Sequence, residues 1–242
     1  MADKQGYAQF CPVAVASEIL SERWTVLVLR GLFCGATRYN DIQASVPRMS
    51  SALLARRLKE LAYANIIERY PATSGRGFEY RLTRAGEELF PVIDRMGVWA
   101  QKWLRREITN EKNLDPDVLM WELRQTVLRA EHRVEKRRVV RFQLDDVPVA
   151  KRFYWLVFEP ADVEICVKDP GYEVDLWVHT TIRTLVAVWL GHRSLSSVYD
   201  DESLCLDGDR EEVKAFRQWY ARSPFAEAGE LPEGDVLALA GA

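Results

Sequence analysis

Residues 45–86 read SVPRMSSALLARRLKELAYANIIERYPATSGRGFEYRLTRAG. Ser50 stands where an N-cap belongs, and Leu54, Leu58 and Leu61 recur at helical spacing, with Leu53 widening the apolar stripe. Asn65, tolerant of left-handed backbone, offers the exit from that helix. Ile66, Ile67 and Arg69 then read as one strand and Phe78, Tyr80 and Leu82 as its returning partner. Between them, Pro71-Ala72-Thr73-Ser74-Gly75-Arg76-Gly77 has the composition of a turn-rich loop. The segment predicts a short amphipathic helix, a left-handed stop and a glycine-tipped β-hairpin.

That order describes a winged helix and points to double-stranded DNA as partner. The helix face opposite the leucines carries Ser51, Ala52, Ala55, Arg56 and Lys59, small residues that permit close approach beside cations that reach guanine edges or phosphates. With Arg48 and Ser50 at the helix start, these are the candidate DNA contacts, joined by Ser74 and Arg76 at the hairpin tip. A plain solvated hairpin is the alternative for the tip, because turn signals do not report on ligands. Upstream, Pro12 opens a helix carrying Val13, Val15, Ala16, Ile19 and Leu20. Trp24 to Leu29 start a more buried one that stops near Gly31 to Gly35, and Arg38 to Ala44 form a third with Tyr39 and Ile42 inward. The Ser50 helix is therefore the second of a helix-turn-helix, the position that reads bases. Downstream, Thr83 caps a helix predicted from about Ala85 to Arg106, with Leu89, Val92, Ile93, Met96, Trp99, Trp103 and Leu104 on one side. Apolar helices at both ends of so small a domain predict a homodimer. Packing of Trp99 and Trp103 on a second domain of the same chain is the alternative.

Charge supports the placement. The chain of 242 residues has a formal net charge of −3, yet residues 1–106 hold 16 Lys and Arg against 10 Asp and Glu, and the remainder 17 against 26. A basic footprint confined to one domain has this distribution. The polar start MADKQGYAQF and the lack of a long uncharged apolar run predict a cytoplasmic protein with no membrane partner. Cys11, Cys34, Cys166 and Cys205 show neither CxxC pairing nor metal-ligand spacing, so reduced thiols and no metal are expected.

These N-terminal residues resemble the HxlR-type winged-helix transcriptional regulators. The resemblance runs from Cys11-Pro12 through Arg23-Trp24-Thr25 and Gly35-Ala36-Thr37-Arg38-Tyr39. It continues over Leu53-Leu54, Arg57-Leu58, Glu60-Leu61 and Glu79-Tyr80-Arg81-Leu82-Thr83 to Gly86 and Trp99, about the first hundred residues. It implies a homodimeric regulator with the Ser50 helix on bases and the 71–77 wing on flanking DNA. Asn65 departs from the glycine usual in the family but tolerates the same geometry. Some family members sense oxidants or electrophiles through a cysteine at the place of Cys11. Before Pro12 at a helix N-terminus its thiolate is favoured by the helix dipole, so it is a redox candidate; a merely inherited thiol is the alternative. Cys34 reads as packing.

In the second half, Asp115-Pro116 starts a helix running towards Arg133, and Arg133, Lys136, Arg137 and Arg138 form a basic run more in keeping with a solvated junction than with DNA contact. From Val139 the period turns to strands, VVRFQL, RFYWLVFE, VEICVK and YEVDLWVHT. A helix from Thr181 to Leu190, a short strand at Leu204 to Leu206 and a helix from Arg210 to Tyr220 follow. The strand around Trp155 is apolar on both faces, so both must be covered by protein or ligand. This part resembles the sterol-carrier-protein type of domain through Val174-Asp175-Leu176-Trp177-Val178, Arg183 to Gly191 and Leu204-Cys205-Leu206-Asp207-Gly208-Asp209. That resemblance implies an apolar ligand tunnel, with Phe153, Trp155, Val157, Trp177, Leu185 and Trp189 as pocket candidates; an ordinary aromatic core is the alternative. His132, His179 and His192 have no nucleophile motif or metal spacing beside them, phosphate-binding glycine loops are absent, and Asp207-Gly208-Asp209 reads as a turn with Asp209 as N-cap, so no enzyme and no cofactor are expected.

The fold expected is multidomain: a mainly α winged helix-turn-helix domain over 1–106, a linker helix over 107–138, and an α+β sterol-carrier-like domain over 139–242 ending in a flexible acidic tail from Ser223. The function expected is a dimeric DNA-binding regulator on a pseudo-palindromic operator, controlled by an apolar small-molecule effector. Its rivals are a thiol sensor acting through Cys11 and a hydrophobe carrier whose winged helix makes protein contacts.

Overall fold

The computed structural model describes residues 6–73, 76–130, 134–160, 162–220 and 222–228. The chain divides into two compact units, Met1–Asp94 and Arg95–Ala242. The first contains α1 (Pro12–Leu20), α2 (Thr25–Phe33), α3 (Tyr39–Ser45), α4 (Ser51–Tyr63), β1 (Ile67–Pro71), β2 (Phe78–Leu82) and α5 (Arg84–Glu87). Helix α6 (Phe90–Trp103) runs across the boundary. The single helix expected from Ala85 to Arg106 is thus three, α5, α6 and α7 (Arg105–Ile108). Pro91 accounts for the first break, because it has no N–H for an intrahelical bond and its ring meets the carbonyl four residues back.

Local chemistry fixes the winged helix. Ser50 caps α4 by accepting from Leu53 N–H at 3.4 Å. At the other end Asn65 takes a positive φ of 55°. Ile66 N–H donates to Leu61 O at 3.0 Å and Asn65 N–H to Ala62 O at 3.1 Å, the paired closure of a left-handed helix end. Strands β1 and β2 pair antiparallel from Ile67 opposite Leu82 to Pro71 opposite Phe78. A bridge from Arg38 to Glu79 adds a third edge. Gly31 lies inside α2, where a Cβ would stand 2.4 Å from Ser45 Oγ, so α2 and α3 approach closely there. Val28, Leu29, Ile42, Leu54, Leu58 and Leu61 form the buried centre of this unit.

The second unit continues with α8 (Pro116–Arg129), β3 (Arg138–Leu144), β4 (Phe153–Glu159), β5 (Asp162–Cys166) and β6 (Leu176–Thr180). After these come α9 (Ile182–Trp189), α10 (Leu195–Asp200), β7 (Leu204–Gly208) and α11 (Arg210–Trp219). The sheet order is β5-β4-β3-β6-β7, with β3 and β6 parallel and the other pairs antiparallel. One face carries Phe142, Tyr154, Leu156 and Val178 into a core with Leu123 of α8, Leu185 and Trp189 of α9, and Phe216 of α11. The helix within the expected linker segment is therefore built into this core. Its N-terminus is tied to β4 and the turn before it, Tyr154 Oη donating to Asp117 at 2.6 Å and Lys151 Nζ reaching Asp117 at 2.7 Å.

One expectation changes here and one holds. The strand predicted from Tyr172 begins only at Leu176, whereas Asp209 occupies the N-cap of α11 as expected, without a side-chain capping bond, and α10 corresponds to no predicted element. The acidic tail is anchored at its start. Ser223 N–H donates to Trp189 O at 2.7 Å, and Gly97 and Gly191 leave room for Phe225 and Ala226. Residues 229–242 lie outside the described residues, as does His132.

Candidate nucleic-acid interface

Helix α4 is held by its buried face, so that its other face is presented. Leu54, Leu58 and Leu61 anchor it, and Arg57, 6% exposed, adds a buried ionic clamp. The Arg57 guanidinium pairs with Glu22 at 2.6 Å and with Glu60, and donates to Arg23 O at 3.2 Å, joining α4 to the turn between α1 and α2. Tyr39 Oη donates to Ser51 O at 2.7 Å, which sets the start of α4 against α3. The turn before α2 takes a left-handed conformation at Trp24, φ 78°.

Ser51, Ala52, Ala55, Arg56 and Lys59 lie exposed on α4, with Arg48 and Ser50 exposed at its start. The structure thus brings seven of the nine predicted DNA contacts to one helix and its approach. Arg76 is exposed in the hairpin loop, and Ser74 lies outside the described residues. Arg56 is held by Glu60 at 2.9 Å, one turn along. Burial opposes ionisation of Glu60, but hydrogen bonds from Arg56 and Arg57 outweigh it and hold that carboxyl below the usual range. Glu60 was missed as a member of the site; its i,i+4 and i,i+3 spacing to the two arginines was the available signal. Arg56 and Lys59 also border a groove of about 630 Å³ with Ile19, Glu22 and Tyr63.

The wing is braced by its own cations. Arg69 stacks over Phe78 at 4.1 Å, and Glu79, buried, takes Arg81 at 3.1 Å and Arg38 at 4.0 Å. The Arg81 hydrogen bond leads the effects that hold the Glu79 carboxyl below its usual range.

Cys11 is exposed at the N-cap of α1 and makes no side-chain capping bond, whereas Cys34 is buried. The pocket candidates of the second unit are not gathered in one place. Leu185 and Trp189 belong to the helix-covered core, while Trp155, Val157 and Phe153 cluster with Val139 on the opposite face of the sheet, where Trp177 is 43% exposed. A cavity of about 320 Å³ lies beside α9, between Leu114, Thr184, Val186 and Ala187 and the arginines Arg183 and Arg193. Among the described residues no three of His, Cys, Asp and Glu are grouped to hold a metal ion, and no helix is long and apolar enough to cross a membrane.

A capped helix with a small, cationic outer face, followed by a hairpin wing, defines a winged helix-turn-helix regulator. Residues 19–108 match the family model of the HxlR-like helix-turn-helix. The uncharacterized transcriptional regulator YvaP of Bacillus subtilis is 36% identical over 100 residues, which are 40% of this chain and 92% of that protein. YodB of the same organism, also a transcriptional regulator, is 35% identical over 96 residues, 38% of this chain and 85% of YodB. The chain belongs to the HxlR-like family of helix-turn-helix transcriptional regulators. Among solved structures, the reduced form of YodB covers 38% of this chain with a TM-score of 0.35 and 34% identity. The redox regulator HypR in its reduced form gives 0.35 at 25% identity, also over 38%.

Proposed function

We propose that this protein is a dimeric regulator that binds a pseudo-palindromic operator through α4 and the wing, and that a hydrophobic small molecule held by residues 139–242 shifts the balance between dimers that fit the two half-sites and dimers that do not. The observation that carries the DNA reading is the exposed row Ser51, Ala52, Ala55, Arg56 and Lys59 on a helix clamped from behind by Arg57. Dimerisation is supported by apolar side chains left outside: Phe10 is fully exposed, Val13 72% and Ile19 37% on the α1 side, and Val92, Met96 and Trp99 of α6 stand about half exposed. A working division of 1–106 for DNA and pairing, 107–138 as connection and 139–242 as sterol-carrier-like effector domain goes with this reading. A ligand acts only through differential affinity for the two arrangements.

Selection of bound duplexes from random DNA, repeated with a panel of apolar compounds, tests both parts. A defined two-fold motif is expected, weakened or strengthened by a compound. Arg56→Ala is expected to cost about 1–3 kcal/mol on the selected site and to relax one position of the motif. Undiminished binding by that variant would remove α4 as the reading helix.

Cys11 supports a second route of control, because its thiol is exposed at a helix N-cap. DNA release by diamide from the wild type but not from Cys11→Ser is the outcome that route requires.

A further inference from the structure

The face of the second unit's sheet that carries Val139, Trp155 and Val157 places a cation among rings. Pairing sets Trp155, Arg141 and Trp177 side by side in one row on β4, β3 and β6. The Arg141 guanidinium lies 4.3 Å from the Trp177 ring centre, 4.5 Å from Phe153 and 5.6 Å from Trp155. Rings satisfy the flat faces of a guanidinium but cannot accept from its N–H edge, which carries five donors. Arg141 is half-buried, and no hydrogen bond or ion pair to its guanidinium forms among the described residues. Burial lowers its affinity for the proton, opposed by the attraction of Asp169. Asp169 is engaged by Gly171 N–H at 2.8 Å, and Asp145, beyond the end of β3, by His179 at 2.6 Å. Trp155 Nε1 in the same row is buried and also without a partner.

We propose that Arg141 is the anchor of a binding site for a flat aromatic carboxylate, its carboxylate on the guanidinium edge and its ring against Trp177 and Phe153. The charge demands an anion, since a desolvated guanidinium gains most from a bidentate carboxylate. The surroundings choose its size and charge: Asp207 pairs with Trp177 at the end of this row and Asp169 acts on Arg141, so a dianionic phosphate or a polyanionic nucleic acid strand meets repulsion that a monoanion largely escapes. The half-exposed Trp177 ring supplies the stacking surface. This inference rests on reading the C-terminal region as a ligand domain, and it places the ligand on the sheet face away from the helices.

Isothermal titration of the full chain with 2-naphthoate and with the neutral 2-naphthamide tests it without any variant. Naphthoate is expected to bind at least tenfold more tightly; equal affinity, or no heat with either up to millimolar concentration, overturns the site. Arg141→Lys, which keeps the charge but loses the planar fork, is expected to weaken naphthoate at least tenfold, and Trp177→Ala to weaken both compounds at least threefold. Full affinity in Arg141→Lys overturns the proposal, with circular dichroism confirming that the variant is folded. Operator binding measured in parallel separates the two readings. Naphthoate binding that leaves DNA affinity unchanged supports the site while removing its role as effector, and intact operator binding beside absent naphthoate binding removes the site alone.

Discussion

At Gly86 a Cβ would stand 2.2 Å from the carbonyl oxygen of Ile66. The approach is built by Thr83, whose N–H donates to Ile66 O at 3.0 Å and whose Oγ1 accepts from Gly86 N–H at 3.1 Å, so that α5 begins on top of the entrance to β1. Backbone cannot yield there as a flexible side chain would. Gly86→Ala is therefore expected to cost about 1–3 kcal/mol in urea unfolding. Asn65 is the contrasting case. Its φ of 55° suits glycine as well, so Asn65→Gly is expected to stay within about 0.5 kcal/mol of wild type, whereas Asn65→Val should lose roughly 1–2 kcal/mol. Equal losses for the two Asn65 variants would mean that side-chain contacts, not backbone conformation, select this residue.

Helix α4 shows how one element is tuned by its own ion pairs. Arg57 is buried between Glu22 and Glu60, while Arg56, exposed on the next position, shares Glu60. The Glu60 carboxyl is held below its ordinary value of 4.5, so its contribution is present above that pH and is lost as pH falls through the lowered value in the folded state. Glu60→Gln is accordingly expected to be less stable than wild type at neutral pH by no more than about 1 kcal/mol, given its exposure, and to converge with wild type as the pH falls below the usual carboxylate range. The same substitution frees Arg56 from its neighbour, and a change in operator affinity would show whether that pair competes with DNA. Much of this element was legible in sequence, since the Ser50 cap, the leucine stripe and the Asn65 exit are all local signals. The inward turn of Arg57 was not, because its partner Glu22 lies thirty-five residues away. The pocket candidates of the second unit failed for a related reason: alternation along β4 assigns Trp155 and Leu156 to opposite faces, but only the sheet order tells which face the helices cover. Arg141 gave no signal as a site residue, because its neighbours come from two other strands.

Across the whole chain, the net positive charge lies in residues 1–106, and exposed apolar side chains lie at α1 and α6. A lone winged helix has no use for Phe10, Val13, Val15 and Ile19 in water, and none of the residues of α1 is buried. Burying such a surface against a second copy would place two α4 helices on one duplex, and phosphate neutralisation would then double as well. Val13→Glu and Val92→Glu alter residues that are exposed, so each should leave the fold intact by circular dichroism. Both are expected to turn a sedimenting dimer into a monomer. On the selected operator the monomer should bind more weakly and with a salt dependence about half as steep, because log K falls by roughly 0.9 per decade of salt for each phosphate neutralised. Arg76→Ala in the intact dimer makes a smaller and separable change, lowering that slope by about 1 per wing while leaving sequence preference alone. A Val13→Glu protein that remained dimeric would move the interface off α1, and one that became monomeric with an unaltered salt slope would show that a single wing and helix already make all the phosphate contacts.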